Sequence, residues 1–351
     1  METKMNTVRI LTQGLLACFD EGLTDASGEY VNAEVSAAAW NGRRLVLASD
    51  KDVPGAERSP VFAIECRDGE PVPESLSFYT ADLIRTAAKY EDFALTAEGG
   101  HMVATTGFDR VDTASADLHH YNRLLCWPAD APQSPRLVAD REDDGVRSSV
   151  GLRTELEQAL GAPYFKIEGL AAIPGRDGEP SRLLFGIREV GVDHANFEYA
   201  CRVVAAPYRM EGDALVLTGA FSVFYDFDPA RWADVRYDVG LSSLEYDPSR
   251  RQLLFLTSFE VTDADGEDRV GAYLWRLSLD AFFNGSDPEL VLGEDGRAFE
   301  FTEKAEGVAV LGDGRLFVVY DPDRSLALDP VHERDSRAPH EAPYTLLTLD
   351  D

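Results

Sequence analysis

The chain has 351 residues, 44% of them hydrophobic, and its 63 acidic against 33 basic residues give a net charge of −30. That apolar content excludes a disordered chain, and that charge would repel phosphate backbones and anionic lipid, which argues against nucleic acid or a membrane surface as partner. No apolar run approaches the roughly 18 residues a bilayer span needs.

In chain order, the N-terminus comes first. Lys4 and Arg9 precede residues 10–16, and Leu15-Leu16-Ala17-Cys18 loosely resembles a lipoprotein cleavage site. Thr12, Gln13 and Gly14 interrupt the stretch, so it makes a poor signal segment. The chain therefore reads as cytoplasmic, with export or lipid anchorage through Cys18 as the lesser alternative. The four cysteines, Cys18, Cys66, Cys126 and Cys201, are far apart with no Cys-x-x-Cys pair, which argues against a zinc site or a dense disulfide framework. Three of them lie in strand-like runs and read as buried thiols. Only five of the basic residues are lysines, a bias that reads as genome composition or a high-salt habitat.

Five segments share one grammar of apolar strand, tight turn, apolar strand and polar residue: 36–50, 92–109, 168–189, 243–260 and 306–321. Their turns carry Asn41-Gly42, Gly99-Gly100, Asp177-Gly178, Asp247-Pro248 and Asp313-Gly314, the chemistry that joins antiparallel strands. Further strand candidates follow each hairpin, at 61–65, 124–127 with 136–139, 200–206 with 214–225, and 272–277 with 289–292. Repeat starts 56, 76, 75 and 63 residues apart suit four-stranded blades with insertions. The last repeat has a third strand near 344–349, and residues 7–16 supply its missing outer strand. The sequence thus predicts an all-β fold in one domain: a five-bladed propeller closed by pairing of its ends. A sixth blade would have to hide between Asp109 and Lys166, a stretch that reads instead as a loop plus a helix at 149–160. A second helical insertion is predicted at 80–89.

The repeats resemble a bacterial family of unknown function, the DUF3616 proteins, and more distantly the esterase-like phytase domains. The resemblance rests on Ala33-Glu34-Val35-Ser36-Ala37-Ala38, Asp92-Phe93-Ala94, Ile167-Glu168-Gly169-Leu170-Ala171, Ser243-Leu244-Glu245-Tyr246-Asp247 and Ala305-Glu306-Gly307-Val308-Ala309. The family's Gly-Leu-Arg-Gly-Pro element reads here Gly186-Ile187-Arg188-Glu189-Val190, keeping the arginine but not the Gly-Pro. The family implies a propeller and no established reaction.

The first strand of each blade lines the central channel, so polar residues at one end of those strands converge. That ring is expected to hold Ser36 or Glu34, Asp92, Glu168, Ser243 and Glu306, surrounded by Asp50, Asp109, Arg188, Glu260 and Asp321. Several carboxylates in a narrow channel need a counter-charge. Either a hard cation such as Ca²⁺ sits on Asp92, Glu168 and Glu306, or Arg188 pairs with them; structural contacts between blades are the plainer alternative. Arg188 and His194, which follows Asp193, are the candidate catalytic groups. The acidic stretch 263–268 reads as a hairpin tip rather than a calcium loop, and His119-His120 as part of a surface loop. No nucleophile elbow, phosphate loop or His-Glu-x-x-His motif is present. Two functions remain: a module binding a small molecule or protein at the channel mouth, or a calcium-type metal-dependent hydrolase of phosphoesters or carboxylic esters.

Overall fold

A computed structural model describes residues 6–112, 115–262, 266–322, 325–328, 332 and 334–350. It is a five-bladed β-propeller. The inner strands are Val35–Trp40, Tyr90–Leu95, Tyr164–Ile173, Gly240–Asp247 and Ala305–Val310, each hydrogen-bonded to the next strand of its own blade. Blade 5 takes its outer strand from the other end of the chain: Val8–Ala17 pairs antiparallel with Glu341–Leu349, from Val8 opposite Leu349 to Ala17 opposite Glu341. This closure leaves only short sheet edges exposed. Processing at Cys18 would remove that strand, and the Cys18 thiol itself is buried in the core of the closing blade.

The strands read as continuous apolar runs because both faces of every blade are covered. Five hydrophobic clusters fill the five gaps between neighbouring blades, so alternate residues of one strand feed two different clusters. Ala94 and Val103 pack on Phe165 and Phe185 between blades 2 and 3, for example, while Phe93, Met102 and Ala104 face Val46 and Ala48 between blades 1 and 2.

Among the described residues between Asp109 and Lys166 there is no sixth blade. That stretch contains a small hairpin, Arg141–Asp143 with Val146–Ser148, and the helix Gly151–Leu160, which buries Leu152, Leu156 and Leu160 against blades 2 and 3. Gly161, in the left-handed region at φ 68°, ends that helix. The predicted helix at 80–89 shrinks to the single turn Asp82–Arg85. All four cysteines are free thiols; Cys18, Cys126 and Cys201 are buried and Cys66 is half-buried. Asp263 and Asp265 of the acidic tip lie outside the described residues. No helix among the described residues is long and apolar enough to cross a membrane.

One irregularity recurs in all five blades and positions the site. Between the first and second strands the pairing slips by a residue near the start of the inner strand, from Val35/Ser49 to Ala37/Ala48 in blade 1 and likewise in the others. The extra residues of these β-bulges are Ser36, Glu91, Glu168, Ser242 and Glu306. A bulge bends the strand and re-aims the extra side chain, so these five residues mark one end of the channel.

Candidate functional site at the bulge end of the channel

Three blades repeat one triplet across the bulge: Lys89-Tyr90-Glu91, Lys166-Ile167-Glu168 and Lys304-Ala305-Glu306. Lys304 Nζ lies 2.7 Å from Glu306 Oε1, and Lys89 Nζ lies 3.3 Å from Glu91 Oε1. Lys166 pairs with Glu168 and also reaches Glu91 of the neighbouring blade at 3.7 Å.

The other two blades break the pattern and are completed from elsewhere. Gly240 stands at the lysine position of blade 4, where a Cβ would come within 2.6 Å of Arg188 Cγ and 2.9 Å of the Tyr199 ring. Arg188, buried on the second strand of blade 3, fills that space. Its Nη1 donates to Ser258 Oγ of blade 4 at 2.6 Å and lies 3.1 Å from Glu168 Oε2, with Tyr199 stacked 5.1 Å away. In blade 1, Glu34 takes the lysine position, and Lys51 lies 2.6 Å from its Oε2 and 3.3 Å from Asp50. Four of the chain's five lysines therefore meet, with Arg188, in one ring of cations and carboxylates.

Burial and pairing spread the carboxyl groups apart. Glu168 is held down to about 2: burial works against ionisation, but Arg188, then Lys166 and Lys304, outweigh it. Burial pushes Glu91 up to about 8, Glu306 to about 7 and Asp50 to about 6, neighbouring lysines only partly opposing it. Lys166 and Lys304 are held above the usual range: burial works against their charge, but Glu168 with Glu91, and Glu306 with Asp321 and Glu168, together outweigh it. At neutral pH Glu91 thus keeps most of its proton and Glu306 part of it, so these two carboxyls cancel their own lysines, Lys89 and Lys304, only in part.

These shifts predict the pH profile of stability. Between the ordinary carboxylate range and about pH 8 the folded ring keeps protons on Asp50, Glu306 and Glu91 that the unfolded chain has lost, so stability falls as pH rises through that window. Glu168 acts oppositely, its contribution disappearing as pH drops toward 2. Thermal unfolding is expected at its highest midpoint near about pH 5 and to decline toward pH 8. Glu91→Gln should flatten that decline; an unchanged slope in this variant would contradict it.

Of the residues nominated for a metal, the structure brings Glu168 and Glu306 into the ring, each on its own lysine. Asp92 sits one residue past the bulge, deeper in the channel. Its Oδ1 accepts from Phe93 N at 2.8 Å; its Oδ2 accepts from Leu170 N at 2.9 Å, Leu244 N at 3.1 Å and Ser243 Oγ at 3.2 Å. It is a clamp joining blades 2, 3 and 4. The three side chains do not converge on one point; among the described residues the carboxylates that do are Glu34, Asp50 and Asp321, whose ligand oxygens lie within 4.8 Å of one another. Lys51 already places its ammonium against two of these. Ser243, expected in the ring, lies at the depth of Asp92, and Ser242 takes its place.

The remaining candidates stand apart. His194 is exposed at the tip of the long blade 3 hairpin, where Asp193 Oδ1 accepts from Ala195 N at 2.9 Å. His119 and His120 lie on a one-turn 3₁₀ helix rather than an open loop: His119 is buried, and His120 Nδ1 lies 2.9 Å from Arg123 Nη2. Glu91, Ser242 and the lysines are the ring members that sequence reading missed. For Glu91, Lys89, Lys166 and Lys304 the signal was present in a Lys-x-Glu triplet repeated three times in a chain with five lysines.

Fold and site together define a five-bladed propeller with a charged ring at one end of its axis. No family model and no curated protein sequence matches the chain. Among solved structures it is similar to an α-L-arabinofuranosidase from Podospora anserina, at 10% identity over 99% of each chain with a TM-score of 0.47. It is also similar to a GH43 β-1,3-galactosidase, at 11% identity over 94% of each chain and a TM-score of 0.44. A gluconolactonase from Xanthomonas campestris gives 13% identity, 97% and 98% coverage and a TM-score of 0.39.

Proposed function

We propose that this propeller binds a small oxyanion-bearing molecule, a phosphorylated or carboxylated metabolite, at the bulge end of its channel. The observation that carries this reading is the gathering of Lys51, Lys89, Lys166 and Lys304 with Arg188 in a chain otherwise poor in lysine. Because Glu91 and Glu306 hold protons near neutrality, their lysines keep charge to offer a ligand. Inorganic phosphate is the simplest probe. Calorimetric titration is expected to show binding at pH 6.5 that weakens about tenfold at pH 9, where the glutamates ionise and recapture the lysines. Lys166→Met and Lys304→Met should each abolish it; wild-type affinity in both would overturn the proposal.

A second reading, hydrolysis of a phosphoester or carboxylic ester, draws on the opposed states of Glu168 and Glu91 on either side of Lys166. An ionised and a protonated carboxyl side by side can serve as base and acid. The Asp92, Glu168 and Glu306 set does not fit a calcium-type ion, since protein donors or lysines already occupy each member. A cation belongs rather with Glu34, Asp50 and Asp321, and would have to displace Lys51. Turnover of p-nitrophenyl phosphate or acetate, lost in Glu168→Gln, is the expected sign of this chemistry, and dependence on added calcium would assign the ion a part in it.

A further inference from the structure

The opposite end of the channel, where the inner strands turn into the second strands, opens into a cavity of about 660 Å³ lined by residues from all five blades. Small-molecule sites commonly enclose about 300–1,000 Å³. Trp40 of blade 1 and Tyr246 of blade 4 contribute aromatic surface, both half-buried. The charged groups on the wall are accounted for one by one. Asp313 is paired with Arg315, and Arg250 lies 3.4 Å from Asp247. Glu98 accepts from Ser181 Oγ at 2.5 Å and Tyr208 OH at 3.0 Å.

Glu245 is different. It has no ion pair among the described residues, and its carboxyl meets only backbone N–H groups, Val310 N at 3.4 Å and that of Tyr246. Burial, and then the charge of Asp92 deeper in the channel, push its pKa well above the ordinary carboxylate range. Glu245 thus stands on the wall of a cavity with aromatic surface, with Asp92 deeper in the channel, while Arg250, the lining cation, lies against Asp247.

We infer that this cavity binds a small organic ammonium ion, its charge on Glu245 and its apolar body against Trp40 and Tyr246. A bound ammonium supplies the counter-charge that lets the Glu245 carboxyl ionise despite its burial; a carboxylate in a concave, partly dry site then attracts a cation more strongly than it would in water, and an aromatic face adds to that attraction. The site is separate from the ring: the Asp92 clamp and the inner-strand packing lie between them.

The test titrates the full chain with benzylammonium and, as its neutral counterpart of the same shape, benzyl alcohol. Benzylammonium is expected to bind and benzyl alcohol to bind at least about tenfold more weakly. Glu245→Gln, which keeps an oxygen for Val310 N, should lower the ammonium affinity about tenfold or more, Trp40→Leu should lower it several-fold, and Lys304→Met should leave it unchanged. Equal binding of amine and alcohol, unaltered affinity in Glu245→Gln, or no binding at millimolar amine would each overturn the inference. Since Lys304→Met removes phosphate binding at the ring and not amine binding here, failure at one end is distinguishable from failure at the other.

Discussion

Asp92→Ala is expected to lower stability by about 3–5 kcal/mol, enough to leave a large share of a marginally stable fold unfolded. The aspartate is buried, and its two oxygens receive three backbone N–H groups and one hydroxyl. Truncation would strand those donors in a channel wall whose inner strands have no further neighbour to pair with, and each buried unsatisfied donor costs about 1–3 kcal/mol. The loss would also be shared by three blades, because Leu170 belongs to blade 3 and Leu244 and Ser243 to blade 4. Asp92→Asn should be milder: its one carbonyl oxygen can still serve Leu170 N and Leu244 N while the amide displaces only the Phe93 contact. Denaturant unfolding checks both variants, and a midpoint for Asp92→Ala equal to wild type would show that the clamp is not needed.

Much of this architecture is legible from local chemistry. The hairpin turns and the strand runs follow from residues near one another in the chain, and the terminal closure from the strand the fifth repeat lacks: Val8–Ala17 does close blade 5 as the pattern of 7–16 predicts. Register at the channel end is less legible, because it depends on bulges and on turn length. Counting back ten residues from the second strand places Asp92 and Ser243 level with Glu306. The turn of blade 2, between paired Leu95 and Met102, is one residue longer than that of blade 5, between Val310 and Leu316. Blade 4, pairing Tyr246 with Leu253, matches blade 2. The level residues are therefore Glu91 and Ser242. That single-residue slip separates a structural clamp from a member of the charged ring.

The lysines show a different limit. A count of five suggests a chain poorly equipped to hold anions, but composition carries no positions. Lys51 sits just past a second strand, Lys89 and Lys304 just before inner strands and Lys166 near the start of one, so only the closed ring brings them together. Arg188 could be nominated from sequence, yet its role in filling the space left by Gly240 of another blade is a tertiary relation that no local pattern encodes.

That relation makes Arg188 the second site of large expected effect. Arg188→Met should destabilise by about 3–5 kcal/mol, the usual result of removing one partner from a buried ion pair. Glu168 would keep Lys166, but it would lose the guanidinium that does most to hold it down to about 2, and its carboxyl would rise toward the ordinary range. Ser258 Oγ would lose its donor as well. Glu168→Gln should be damaging for the complementary reason, since it leaves Arg188 and Lys166 facing a neutral amide while Lys304 stands near. The double variant removes both charges at once and is expected to recover part of the loss, so the sum of the two single losses should exceed the loss of the double variant by about 1–3 kcal/mol. Strict additivity would mean that Arg188 acts through packing against Tyr199 and in the space above Gly240, with its charge contributing little. Partial recovery would identify the Glu168–Arg188 pair as the electrostatic joint between blades 3 and 4, and would separate that structural duty from the lysines left to meet a ligand.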